Sequence, residues 1–150
     1  MAKENQNTAQ QQYRSWWKPL LDETVQRMIK DGAVKGAAVE ANPVWMLPER
    51  ILISRVWAAA QKSQFVWAIA GEAVYFDHIG GDLAVDAQAV ARHFSLKWQM
   101  DAERLRALAK RRSTTQAERI SAQADRLVQC AEMMYDLSSQ DELWKEHPAS

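Results

Sequence analysis

The chain has 150 residues, 47% of them apolar and 25% charged, which suits a soluble globular domain with one moderate core. Lysine and arginine together number 19, as do aspartate and glutamate, so average charge gives no pull toward nucleic acid or an anionic membrane. Cys130 is the single cysteine, which excludes an intrachain disulfide and a thiolate zinc cluster.

The opening MAKENQNTAQQQ is polar and lacks the apolar centre of a signal peptide. No stretch approaches the roughly 18 continuous apolar residues of a membrane span. These features point to a cytoplasmic protein with no membrane partner. Disorder is expected over residues 1–10, and the chain 1–150 reads as a single domain.

A first helix is expected over residues 10–30, with Trp17, Leu20, Leu21, Val25, Met28 and Ile29 spaced at three and four. Pro19 either starts that helix or kinks it. Gly32 is its expected stop. Residues 33–49 lack a steady period and carry Gly36, Pro43 and Pro48, so they read as loop or short strand. Two β-prone runs follow, RILISRVWAAA and FVWAIA, around the polar break QKSQ. A helix begun by Pro48 competes with a β-hairpin here, and the pair of runs favours the hairpin. In a hairpin, Ile51, Ile53 and Trp57 share one face, as do Phe65, Trp67 and Ile69. Arg55 falls among them as an edge or pocket residue.

From Asp86, an expected N-cap, the pattern is helical. Ala87, Val90, Ala91, Phe94, Trp98, Ala102, Leu105 and Leu108 make one apolar face. KRR and STT end it. Thr115 with Glu118 suggests a capping box. Ile120, Ala124, Leu127, Ala131, Met134 and Ser138 then form a heptad-like seam. The expected fold is α+β: an N-terminal helix, a small antiparallel sheet built on a β-hairpin, then two long antiparallel helices.

Candidate chemistry centres on GEAVYFDHIGGD, residues 71–82. Asp77, His78 and Asp82, with Arg92 and His93 on the following helix, are the pocket candidates. DHIGGD has no specific metal-ligand spacing, and HExxH, GxGxxG and phosphate-loop motifs are absent. The glycines suit a tight turn and the acids suit the start of a helix. His93 has no acid one turn away to orient it as a base. The cations Arg104, Arg106, Lys110, Arg111 and Arg112 read as a solvated helix end rather than a nucleic-acid surface. No metal and no cofactor is implied.

WAIAGEAVYFDHI followed by AVARHFSLKW resembles a small uncharacterised bacterial family, a domain of unknown function. The matching positions are Trp67, Gly71, Glu72, Asp77, His78, Ile79, Arg92, Phe94 and Trp98, and the resemblance covers residues 45–105. It departs in the turn, where the family pattern has proline and this chain has Val74 or Tyr75. The resemblance implies an α+β domain of bacterial cytoplasm and transfers no catalytic residue.

Seven tryptophans are many for this length, and tryptophan favours both cores and interfaces. With Trp16 and Trp17 as protein-binding candidates, the leading expectation is a non-enzymatic domain that binds a protein partner or itself. The alternative is a small enzyme or ligand-binding protein with a polar pocket near Asp77, His78 and His93.

Overall fold

The structure, a computed structural model, describes residues 2–145, with side chains from residue 13 onward. His147 lies outside the described residues. The expectation of disorder over residues 1–10 concerns positions for which only a helical backbone from Ala2 is described. The chain forms two compact units, one reaching to Asp82 and the other Leu83–Lys145.

The first unit opens with α1, Ala2–Lys30. It runs through Pro19 without starting there. Pro19 is exposed, and an ion pair between Lys18 and Asp22, at 2.8 Å, spans that turn. Gly32 ends the helix as expected. Its φ is 75°, its N–H donates to the Ile29 carbonyl at 3.1 Å, and the Ala33 N–H donates to the Met28 carbonyl at 2.9 Å. This is the paired closure that a left-handed glycine permits.

Four strands follow: β1 (Val39–Leu47), β2 (Ile51–Ala58), β3 (Val66–Ala70) and β4 (Asp77–Gly80). They pair antiparallel in the order β1-β2-β3-β4. The β2–β3 hairpin is the expected one, with Ile53 opposite Ile69 and Arg55 opposite Trp67. Pro48 and Glu49 turn β1 into β2. Glu49 has φ 66°, and the Arg50 N–H donates to the Leu47 carbonyl at 2.9 Å.

Two expectations are corrected here. Residues 39–47 form a nine-residue strand rather than loop or short strand. The register shifts between Pro43 and Trp45, which breaks the alternation by which a strand is recognised. DHIG, read as part of a turn, is strand β4. Pairing with β3 makes it a strand, through Asp77 with Ile69, His78 with Ala68 and Ile79 with Trp67.

Helix α1 packs across β1, β2 and β3. Met28 joins Val34, Val56, Ala58 and Ala68 in one cluster, and Leu21 joins Met46 and Leu52 in another. Each of the methionine, valine and leucine side chains contributes about 1.5–3 kcal/mol when fully buried, and each alanine less. Strand β2 is buried throughout except at Arg55.

The second unit is dominated by α2 (Ala87–Ala109) and α3 (Thr114–Ser138), followed by the short α4 (Glu142–Lys145). Asp86 caps α2 as expected, its carboxylate accepting from the Ala89 N–H at 2.9 Å. The two long helices pack against each other. Val90, Ala91, Phe94, Trp98 and Ala102 are buried on α2, and Ala124, Leu127, Ala131, Met134 and Ser138 on α3. Phe94 and Trp98 stack, with ring centroids 5.2 Å apart and 26° between planes. Arg106 reaches across to Asp125 at 3.1 Å.

Three details differ from expectation. The N-cap of α3 is Ser113, not the Thr115–Glu118 box, because the helix already starts at Thr114. Leu108, placed on the apolar face by spacing, is 37% exposed near the end of α2. Cys130 lies in the apolar helical run RLVQCAEMMYDL, which predicts a small buried hydrophobe, but it is only partly buried.

Candidate functional site

Glycines shape the chain on either side of β4. Gly71 has φ 139°, and a Cβ there would collide with the Arg50 carbonyl. Gly81 lies against Phe65, its N–H donating to the Phe65 carbonyl at 3.0 Å. Both glycines therefore hold backbone approaches that a side chain would block. Beyond Gly71, Glu72 is exposed, Val74 is buried, and Phe76 leads into β4.

Asp77 and His78 are partly buried on β4, and Oδ1 of Asp77 accepts from the His78 backbone N–H at 2.8 Å. The His78 ring lies 6.4 Å from that of Phe76. Asp82 is exposed in a 3-10 turn, Gly81–Leu83. Arg92 and His93 sit in the other unit, on α2. Arg92 is exposed, and the partly buried His93 meets Phe94 edge-on at 6.2 Å. Each unit thus holds its own part of the expected pocket set. Among the described residues, no group of three or more His, Cys, Asp or Glu side chains is placed to hold a metal ion.

Three clefts are lined within single units. One, of about 360 Å³, runs between α1 and the β3–β4 segment. Trp16 and Thr24 line its helix side, and Gly71, Glu72 and Phe76 its sheet side. The Arg27 guanidinium stacks over the Phe76 ring at 4.3 Å. The Thr24 hydroxyl is turned back on its own helix, donating to the Leu20 carbonyl at 2.8 Å. The GEAVYF stretch therefore borders this cleft. Trp16 and Trp17 are both partly buried and pack at the margin of the Leu21, Met46 and Leu52 cluster.

A second cleft lies along the outer face of α2, where His93, Leu96, Lys97, Met100, Asp101 and Arg104 form one helical stripe. Leu96 is 62% exposed and Met100 48%. Lys97 pairs with Asp101 at 2.9 Å, and Arg104 approaches the same carboxylate at 3.6 Å. His93 thus belongs to a partly apolar helix surface.

The third cleft opens beside β1 and β2 and has a volume of about 530 Å³. The Arg55 guanidinium lies 4.8 Å from the Phe65 ring and 4.7 Å from the Trp67 ring. Next along the strand face, the Trp57 indole N–H donates to Oε2 of Glu40 at 3.0 Å, and Lys62 lies over the Trp57 ring at 5.3 Å. The sequence marks Arg55 as an edge or pocket residue, but Glu40 and Lys62 do not stand out in it. The signal for the whole group was the one charged residue of strand β2.

The fold is α+β, with a four-stranded antiparallel sheet, a helical hairpin and three surface clefts. The chain belongs to the family described as domain of unknown function DUF4826, whose model matches residues 10–144. No curated protein and no solved structure matches the chain. No helix among the described residues is long and apolar enough to cross a membrane.

Proposed function

We propose that the protein is a cytoplasmic, non-enzymatic binding domain that associates with a second copy of itself through the outer stripe of α2. The observation that carries this is the exposure of Leu96 and Met100, one turn apart on a helix whose other face is buried. Exposed apolar side chains grouped beside charged ones are typical of contact surfaces. The stripe is also self-complementary. Leu96 and Met100 are spaced by four, as are Lys97 and Asp101. An antiparallel two-fold crossing near residues 98–99 therefore brings Leu96 of each copy toward Met100 of the other, and Lys97 toward Asp101. So short a contact gives weak association, in the range of small transient interfaces.

Sedimentation equilibrium over a concentration series tests this. Dimerisation with a Kd between about 1 μM and 1 mM is expected, together with a monomeric Leu96→Glu/Met100→Glu variant of unchanged helix content. A chain that stays monomeric throughout, or a variant that dimerises like the parent, would overturn the reading.

A further inference from the structure

We propose that the cleft beside β1 and β2 is a binding site for a small organic carboxylate, with Arg55 as its principal anchor. Arg55 is partly buried in β2, and its Nε is fully buried yet meets no hydrogen-bond acceptor among the described residues. Its protein contacts are the faces of Phe65 and Trp67. Ring faces attract a cation but leave its N–H groups without acceptors. A buried N–H without an acceptor is costly, and the planar fork of donors to which it belongs matches a carboxylate. Strand geometry also fixes the position of this side chain: Arg55 is held between Asn42 on β1 and Trp67 on β3.

The neighbouring groups narrow the ligand class. Lys62 adds a second cation at the cleft, and Glu40 adds one carboxylate, already accepting from the Trp57 indole. The local balance is one positive charge, which suits a monoanion better than a phosphate dianion. Trp57 and Phe65 supply aromatic wall, and Asn42 supplies an amide at the rim. A volume of about 530 Å³ accommodates an organic body as well as the acid group. The site therefore takes an acid with an apolar or aromatic portion: the carboxylate on Arg55 and Lys62, and the apolar portion along the rings.

The test titrates the full chain with sodium benzoate at constant ionic strength. Arginine Nε–H and tryptophan indole N–H resonances are followed by nuclear magnetic resonance, with benzyl alcohol and inorganic phosphate as comparison probes. Saturable shifts of Arg55 Nε–H and Trp57 Nε1–H are expected, with a Kd near or below about 1 mM. Arg55→Lys keeps the charge but loses the planar fork, and should weaken binding about tenfold. Lys62→Gln, at an exposed position, leaves the fold unchanged and should weaken benzoate about threefold, so the proposal stays testable if the Arg55 variant misfolds. Absence of saturable shifts up to about 20 mM benzoate overturns the site. Equal binding of benzyl alcohol overturns the role of the anion, and tighter binding of phosphate overturns the carboxylate class.

Discussion

The side-chain amide of Gln88, in the first turn of α2, donates to the carbonyl of Ser138, the last residue of α3, at 2.8 Å. The same nitrogen donates to Oδ1 of Asp141 at 2.8 Å. Ends of the chain segment 50 residues apart are thus tied by one amide. The carbonyls of a helix C-terminus have no partners within the helix, so an outside donor there stabilises its last turn. Gln88→Ala should destabilise the helical hairpin by about 1 kcal/mol. It should also speed amide exchange in residues 137–140 more than at the centre of α3. Unchanged exchange at those amides would show that the bond does not hold the end of α3.

Trp98 is 1% exposed and stacked on Phe94. Trp98→Ala removes a large aromatic group from a closed site, so a loss of about 3–5 kcal/mol is expected in urea unfolding. A loss below about 1 kcal/mol would place Trp98 outside the well-packed interior.

At Gly71, any side chain meets both an unfavourable φ and the Arg50 carbonyl. Gly71→Ala should cost at least about 2 kcal/mol, because the β3–β4 segment must move away from the start of β2. Gly32→Ala is the informative comparison. Its φ is also positive, at 75°, but a Cβ there meets nothing closer than 4.0 Å. Its cost should stay near about 1 kcal/mol, the backbone contribution alone. Equal melting temperatures for the two variants would refute the collision at Gly71.

Ser54 is 1% exposed in β2, and its hydroxyl meets no hydrogen-bond partner among the described residues. Its neighbours across the sheet are Pro43 and Ala68. A buried hydroxyl left unsatisfied is destabilising, so Ser54→Ala should leave stability unchanged or raise it by up to about 1 kcal/mol. A loss greater than about 1 kcal/mol by chemical denaturation would reveal an unrecognised role for the oxygen.

The helices were legible in the sequence because their signal is periodic and long. Val90, Phe94 and Trp98 on α2, and Ala124, Leu127 and Ala131 on α3, are buried as their spacing required. The β2–β3 hairpin was legible from two β-branched and aromatic runs around a polar break. Strand β1 was not, because Pro43 and the register shift beside it erase the alternation. Strand β4 was not, because four residues ending in glycine look like a turn until β3 pairs with them. At the candidate sites, residue type drew attention to Asp77, His78 and His93, whereas the clefts beside α1 and beside β1 and β2 gather side chains distant in sequence. Glu40, Arg55 and Lys62 meet only through strand pairing and a 3-10 turn at Lys62–Gln64, which no local motif encodes.

Pro43 has a further consequence. The strand order puts β1 at one end of the sheet, the position from which foreign strands are recruited. A proline offers no N–H there, and the shifted register beside it breaks the straight row of donors and acceptors that a growing fibril would copy. Strand β4, at the opposite end, is only four residues long. A sheet limited in this way at both ends offers only a short or interrupted template for the edge-to-edge addition of a further strand.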